Sequence, residues 1–186
     1  SGGGTHRRPA LHLDGGRVLR LAGGAAGAAT KPLITVVPGP GVGEIAPDFE
    51  LVNQHGESVR RADLAGGPAL LVFFPLVLTP VCEQELGDLA ERQATWDAQG
   101  TRVVGLSVDH RYSLREAADR LGVEFDLLSD FWPHGEVARA YGAFDETRGH
   151  ATRTTFVLDG GGRVRSIVAS DRLTPRDVGE YERALA

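Results

Sequence analysis

The stretch "PALLVFFPLVLTPVC", residues 68–82, joins a short continuous apolar run to a proline, a threonine and a cysteine. An apolar run of this kind, 68–76, is typical of a β-strand that is covered on both faces. A helix is predicted to follow from about residue 80 to residue 99, because Thr79 can act as its N-cap and Gly100 can end it. The chain therefore passes here from a buried strand directly into a helix.

Alternating strands and helices continue along the chain after residue 100. The further predicted elements are a strand in 101–109, helices over 113–122 and 136–141, a β-hairpin in 154–169 and a last helix from residue 174. Ser113 and Glu116 form the capping box of the first of these helices, and Thr174 is expected to cap the last one. Alternation followed by a late hairpin predicts an α/β fold with a central mixed β-sheet flanked by helices.

Residues 1–43 differ in composition from the rest of the chain, because they hold much of its glycine and little apolar bulk. Ser1–Gly4 resembles a cloning scar, and 11–21 alternates around Gly15–Gly16 as a small hairpin does. We predict a flexible or weakly structured extension over 1–43 and one folded domain over 44–186.

Charge and cysteine content argue against several classes of protein. The net charge of −5 and the isoelectric point near 5.7 give no electrostatic footprint for nucleic acid or an anionic membrane. No apolar run approaches the roughly 20 residues that span a bilayer. A single cysteine excludes an internal disulfide and fits a reducing, cytoplasmic compartment. The histidines and the cysteine show no metal-ligand spacing, so we expect no metal and no other cofactor.

Cys82 occupies the third position of the helix that is predicted to begin at Pro80. In this first turn, unpaired N–H groups and the positive end of the helix dipole favour the thiolate form of a cysteine. Glu83 and Glu85 oppose that charge, so we expect a cation from elsewhere in the chain to lie closer. The alternative is an inert, buried cysteine that serves only as a small apolar side chain.

Residues 75–82 spell P-x-x-x-T-x-x-C, and this pattern resembles the active-site signature of the peroxiredoxins, the AhpC/TSA family. Glu85 stands where that motif often carries glutamate. "IAPDFEL", residues 45–51, resembles the opening segment of the family. One departure is Leu78, because many relatives carry phenylalanine before the threonine.

The resemblance extends along residues 43–186. "TRTTFVLD", residues 152–159, is similar to the strand that brings the family's active-site arginine, here Arg153, to the cysteine. "LLSDFWPHGEVARAYGAF", residues 127–144, is similar to the one-cysteine alkyl hydroperoxide reductase E group of actinobacteria.

This resemblance implies a thioredoxin-like fold and a cysteine peroxidase that acts on hydrogen peroxide or organic hydroperoxides. The thiolate attacks one peroxide oxygen and becomes a sulfenic acid. The expected catalytic residues are Cys82, Arg153 and Thr79, and the expected supporting residues are Pro75, Glu85 and Val81. Arg153, the Thr79 hydroxyl and the first N–H groups of the helix would align the O–O bond. Pro75 would shield the thiolate from water, and Glu85 would orient Arg153.

A chain with one cysteine cannot resolve the sulfenic acid by itself, so the resemblance implies an external reducing thiol. That thiol is either a low-molecular-weight thiol or a redoxin, and the actinobacterial group suggests mycothiol or a mycoredoxin. The family also implies a homodimer. Trp132 and His134 are candidates for the subunit contact, although burial within its own domain is the commoner fate of a tryptophan.

Two alternative functions stay open at this point. In the first, oxidation of Cys82 changes an interface, and the protein is a non-catalytic redox sensor or a partner-binding scaffold. In the second, the protein carries out specialised oxidation chemistry, for which the extension over 1–43 is the sole hint.

Overall fold

The computed structural model describes residues 38–186. The predicted scar at 1–4 and the predicted hairpin at 11–21 lie outside the described residues, so the domain boundary at residue 44 stays a prediction. Within the described part, the N–H of Gly43 donates to the carbonyl of Val164 at 2.8 Å. Gly39 packs on the main chain of Tyr141 so closely that a Cβ atom would lie 1.9 Å from the Tyr141 carbonyl oxygen.

The described residues form nine strands, four α-helices and one short 3-10 helix, Arg61–Leu64. The strands are β1 (Glu50–Asn53), β2 (Ser58–Arg60), β3 (Ala69–Phe73), β4 (Arg102–Ser107), β5 (Asp126–Ser129), β6 (Phe144–Asp145), β7 (His150–Ala151), β8 (Thr154–Leu158) and β9 (Val164–Ala169). The helices are α1 (Pro80–Ala98), α2 (Arg111–Leu121), α3 (Glu136–Ala140) and α4 (Val178–Leu185). None of the helices in residues 38–186 is long and apolar enough to cross a membrane.

Seven strands form one mixed sheet in the order β2-β1-β5-β4-β3-β8-β9. The central strands β3, β4 and β5 run parallel, whereas β1, β2, β8 and β9 pair antiparallel with their neighbours. β6 and β7 form a separate two-stranded ribbon. The mixed sheet flanked by helices confirms the predicted α/β architecture. Because β3 and β4 are parallel neighbours, the loops that follow them leave the sheet at the same edge.

β3 is buried on both faces, as its sequence predicts, and each of its five residues is at most 1% exposed. Leu70 and Val72 belong to a hydrophobic cluster that also contains residues of α1, α2 and α4. Leu71 and Phe73 belong to a second cluster, which includes residues of α3. Because complete burial of such a side chain contributes roughly 1.5–3 kcal/mol, this strand is a major source of stability on both sides of the sheet.

The predicted bounds of α1 and the predicted late hairpin are confirmed. α1 has Thr79 as its N-cap residue and Pro80 at its first position, and it ends just before Gly100. β8 and β9 pair as the predicted antiparallel hairpin.

The predicted starts of two helices are wrong. α2 is capped by His110, three residues before the predicted Ser113. α4 is capped by Asp177, three residues after the predicted Thr174, and the Asp177 carboxylate accepts the N–H of Gly179 at 3.0 Å. In both cases a better placed acceptor competes with the side chain that the sequence pattern favours.

The segment between β5 and α3 exposes its aromatic side chains. Trp132 is 81% exposed, so the expectation that it is buried in its own domain is wrong. His134 is also exposed, and its Nε2 lies 2.8 Å from the carbonyl oxygen of Gly149. The subunit contact that was predicted for these two residues stays a prediction.

Asp130 directly follows β5, and its side chain binds N–H groups in the first turn of α3. Its buried carboxylate accepts the N–H groups of Val137 at 3.2 Å and Ala138 at 2.9 Å. Burial raises the pKa of the Asp130 carboxyl to about 6, because desolvation outweighs these two N–H groups and the charge of Glu136 adds to the shift.

We expect Asp130 to make the domain less stable as the pH rises. Its pKa is higher in the folded protein than the ordinary value of 3.8, so its contribution is complete below pH 3.8 and is lost as the pH rises through about 6. From pH 5 to pH 7, the free energy of unfolding should fall by about 1 kcal/mol more in the parent than in Asp130→Asn. Urea unfolding at the two pH values measures this difference, and the same pH dependence in both proteins would contradict it.

Candidate active site

The loop that follows β3 is anchored by the end of β4. The N–H of Val77 donates to Oδ2 of Asp109 at 2.8 Å, and the hydroxyl of Ser107 donates to the same oxygen at 2.7 Å. Burial raises the pKa of the Asp109 carboxyl although these two donors oppose the shift. The parallel pairing of β3 and β4 therefore fixes the main chain that leads into α1.

Thr79 joins this loop to α1 without using its side chain as a cap. Its main chain has the N-cap conformation, but its hydroxyl donates to the carbonyl of Leu76 at 2.9 Å. The preceding Leu78 has a left-handed φ of 64°, which is strained for a residue with a branched side chain. The Thr79 oxygen keeps its lone pairs, so it can accept a hydrogen bond from another group.

Cys82 is completely buried in the first turn of α1. The first backbone hydrogen bond of this helix runs from the N–H of Glu83 to the carbonyl of Thr79 at 2.9 Å, so the N–H groups of Val81 and Cys82 precede the helical ladder. These groups and the helix dipole favour negative charge at this end of α1. Val81 is half-buried, and Pro75 is buried at the start of the loop.

Arg153 reaches Cys82 from the strand next to β3. In the antiparallel pairing of β8 with β3, Thr154 lies opposite Phe73, so Arg153 lies just beyond the end of β3. Its Nη2 donates to Sγ of Cys82 at 3.3 Å, and its Nε donates to the main-chain carbonyl of Arg172 at 2.9 Å. Arg153 is 3% exposed, so water does little to weaken its interaction with the sulfur.

Glu85 links Arg153 to a second buried arginine, Arg176. It lies three residues after Cys82, on the same face of α1. Its Oε2 accepts from Nη1 of Arg153, and its Oε1 accepts the main-chain N–H of Arg176 at 2.8 Å and Nε of Arg176 at 2.9 Å. Nη1 of Arg176 also donates to the carbonyl of Phe73 at 2.9 Å. Across residues 38–186, no buried side-chain polar atom lacks a hydrogen-bond partner.

The charges of this cluster balance when Cys82 is a thiolate. Arg153 and Arg176 supply two positive charges and Glu85 supplies one negative charge, and all three side chains are buried. An uncompensated charge in such a place is costly, and the negative sulfur would remove the excess. The cluster is therefore suited to an anionic Cys82.

The second acidic residue near the sulfur is neutralised from a different helix. Glu83, which opposes a negative charge at Cys82, forms an ion pair with Arg120 of α2. The hydrogen bond from Arg120 lowers the pKa of the Glu83 carboxyl. The cation that the sequence analysis expects beside Cys82 is thus Arg153, while Arg120 compensates Glu83.

The structure brings Cys82, Arg153 and Glu85 into direct contact, and it sets Thr79 within the same loop and turn. Arg176 was not predicted from the sequence, because the predicted helix start at Thr174 puts it in a helical turn. Arg120 and Asp109 were not predicted either. The sequence held one indication of a second cation. Glu83 and Glu85 lie beside a cysteine that is expected to be a thiolate, and these negative charges require more than one positive charge.

Comparison with known proteins identifies relatives of this chain. The profile of the AhpC/TSA family matches residues 42–167. Alkyl hydroperoxide reductase E of Mycobacterium tuberculosis is 41% identical over 125 residues, which cover 67% of this chain and 82% of that protein. Peroxiredoxin 2 of Thermoplasma acidophilum is 33% identical over 150 residues, which cover 77% of this chain and 74% of that protein.

Solved structures show the same fold. AhpC of Enterococcus faecalis superposes with a TM-score of 0.71 at 28% identity, and the match covers 77% of this chain and 89% of that chain. Peroxidoxin BcpB of Mycobacterium tuberculosis superposes with a TM-score of 0.68 at 26% identity, and the match covers 78% and 94%. The predicted thioredoxin-like fold is confirmed.

Arg176→Met is expected to destabilise the domain by about 3–5 kcal/mol, because Glu85 would stay buried with one cationic partner fewer. The matched control is Arg183→Met in α4, whose side chain is 69% exposed and lies 3.5 Å from Asp177. That substitution should cost less than about 1 kcal/mol. Urea unfolding of both variants beside the parent measures the two losses. Equal losses would show that Arg176 does not compensate the buried carboxylate.

Proposed function

The chain belongs to the AhpC/TSA family and is a thiol-dependent peroxidase, and we propose that Cys82 is its nucleophile, served by Arg153, Thr79 and the first turn of α1. The observation that carries this proposal is the hydrogen bond of 3.3 Å from Arg153 to the buried sulfur. A sulfur that receives a guanidinium N–H at a helix N-terminus is well suited to carry negative charge. An inert core cysteine would need neither group.

In the proposed reaction, Cys82 loses its proton and the thiolate attacks the terminal oxygen of a hydroperoxide. A sulfur–oxygen bond forms and the O–O bond breaks. The alkoxide or hydroxide that leaves takes up a proton, so the products are a cysteine sulfenic acid and an alcohol or water. Two electrons pass from the sulfur to the peroxide.

Ionisation of the thiol explains only part of the expected rate. An ordinary cysteine is about 3% ionised at neutral pH, so complete ionisation gains only about thirtyfold. We assign the remaining acceleration to Arg153 and the N–H groups of Val81 and Cys82, which stabilise charge on the leaving oxygen. Thr79 accepts the peroxide O–H, because its own hydrogen is donated to Leu76.

Three further residues serve the reaction without exchanging protons or electrons. Glu85 and Arg176 are positioning residues, because their hydrogen bonds hold the Arg153 guanidinium at the sulfur. Pro75 is buried beside the loop and would keep water from the thiolate.

The proposed substrates are hydrogen peroxide and organic hydroperoxides, which the name alkyl hydroperoxide reductase E of the mycobacterial relative supports. The proposed reductant is an external thiol, either a low-molecular-weight thiol or a redoxin, because Cys82 is the sole cysteine of the chain. One thiol converts the sulfenic acid to a mixed disulfide and water, and a second thiol then releases Cys82 and a disulfide. A reducing, cytoplasmic compartment would supply these thiols.

We also propose that the protein acts as a homodimer. The support is the exposed aromatic segment between β5 and α3, in which Phe131 is 48% exposed and Trp132 is 81% exposed. Neighbouring aromatic side chains of this kind are enriched at protein interfaces.

Stopped-flow oxidation of the reduced protein by hydrogen peroxide, followed by tryptophan fluorescence, tests the proposed nucleophile. We expect a second-order rate constant far above that of free cysteine and no reaction in Cys82→Ser. Arg153→Ala should lower the rate constant by about two orders of magnitude or more, because the leaving oxygen loses its cation.

The matched control for Arg153→Ala is Arg102→Ala, because Arg102 is exposed at the opposite end of the sheet. An Arg153→Ala rate constant within about threefold of the parent would refute the role of Arg153. A parent rate constant like that of free cysteine would instead favour the redox sensor or scaffold.

Removal of external thiol should stop the proposed cycle after one turnover. Excess hydrogen peroxide should then convert Cys82 to the sulfinic acid and inactivate the protein. Intact mass spectrometry measures this as a gain of two oxygen atoms, and the chain has no methionine that could gain oxygen instead. Cys82→Ser should gain none. Repeated turnover of the parent without any thiol would contradict the one-cysteine mechanism.

A further inference from the structure

A polar pocket with a volume of about 240 Å³ lies beside the proposed active site. Its lining combines two arginines with a histidine and hydroxyl groups: Arg148, His150, Thr152, Ser170 and Arg172. None of these residues has a role in the peroxidase mechanism above through its side chain.

Two residues place this pocket next to the proposed active site. Pro75, the first residue of the P-x-x-x-T-x-x-C motif, forms part of the pocket wall. The main-chain carbonyl of Arg172 accepts Nε of Arg153, whose Nη2 donates to Sγ of Cys82. A single guanidinium therefore separates the sulfur from the Arg172 main chain, so the pocket adjoins the residues that surround Cys82.

Positive charge exceeds negative charge in the pocket lining. Asp145 is the one acidic member of the lining, and Arg148 pairs with it at 2.7 Å. Within residues 38–186, no carboxylate lies within salt-bridge distance of Arg172. The carboxylate of the neighbouring Asp171 accepts the N–H of Leu173 at 2.8 Å instead. This local excess of positive charge contrasts with the net charge of −5 of the whole chain.

We propose that this pocket binds the carboxylate of a small organic molecule that reacts at Cys82, and that Arg172 is the principal cation for it. The inference rests on the proposed function, because it requires a reacting sulfur at Cys82. The molecule is either a hydroperoxide that carries a carboxylate or a reducing thiol that carries one, and both present the same group to the pocket.

The chemistry of arginine explains why a carboxylate fits this place. The planar guanidinium presents parallel N–H donors that match the two oxygens of a carboxylate. Binding of the carboxylate holds the other end of the molecule near the sulfur, so less entropy is lost in the reacting complex. Hydrogen peroxide has no such group and gains nothing from the pocket.

The oxidation arm of the test compares the tertiary hydroperoxide of 4-methylpentanoic acid with its methyl ester. Stopped-flow oxidation gives one rate constant for each, and their ratio cancels any general effect of a substitution on Cys82. We expect the acid-to-ester ratio to fall about fivefold or more in Arg172→Gln, because a partly enclosed charge-assisted contact is lost. Arg102→Gln, which removes the same charge far from the pocket, should keep the parent ratio.

The reduction arm compares mercaptopropionate with its methyl ester as reductants of the sulfenic acid. One equivalent of hydrogen peroxide first oxidises Cys82, and the rate at which each thiol consumes the sulfenic acid is then measured. The same fall in the acid-to-ester ratio is expected here if the anion belongs to the reductant. Arg148→Gln is a second variant for both arms, since its side chain also lines the pocket and is exposed.

A lower acid-to-ester ratio in Arg172→Gln supports carboxylate binding in the pocket, and the arm in which the ratio falls identifies which reactant carries the carboxylate. Ratios within about twofold of the parent for Arg172→Gln and Arg148→Gln in both arms would overturn it. Failure of the proposed function itself would be seen separately, because the parent would then react with hydrogen peroxide no faster than free cysteine does.

Discussion

The position of Glu85 between two buried arginines is the constraint on which the proposed active site depends. Arg153 and Arg176 would repel each other in a space with little water, and the carboxylate between them makes their approach possible. Glu85 lies on α1, whereas the arginines precede β8 and α4. The Cys82 sulfur therefore receives its guanidinium donor only after these three parts of the chain have packed together. The stability of the domain and the placement of the Arg153 guanidinium at the sulfur therefore depend on the same hydrogen bonds.

The sheet explains how groups so distant in sequence come to surround one sulfur. Parallel pairing of β3 with β4 brings Asp109 to the loop before α1, and antiparallel pairing of β3 with β8 brings Arg153 to the opposite side of that loop. Because β3 is buried on both faces, neither neighbour can shift without exposing apolar surface. A strand that is buried along its whole length thus leads into the loop that positions the proposed reactive residue.

Local signals predicted a large part of this arrangement. These signals are the apolar run of β3, Thr79 and Pro80 at the start of α1, and Gly100 at its end. Each acts within a few residues, so the sequence alone predicts its effect. The predicted starts of α2 and α4 were wrong for a related reason. Several nearby side chains can each cap a helix, and tertiary contacts choose among them. Arg176 has its main-chain N–H bound to Glu85, which favours a later start for α4.

The sequence by itself determined the strand that centres the sheet, the place of Cys82 in the first turn of a helix, and the resemblance that identified Arg153. These features follow from the order of neighbouring residues and from motif spacing. Only the tertiary structure decided that Arg176 compensates Glu85, that Asp109 anchors the loop, and that Trp132 faces solvent. Each of these depends on which segments meet across the sheet, and the energy of a buried charge or an exposed ring is set by all the atoms around it.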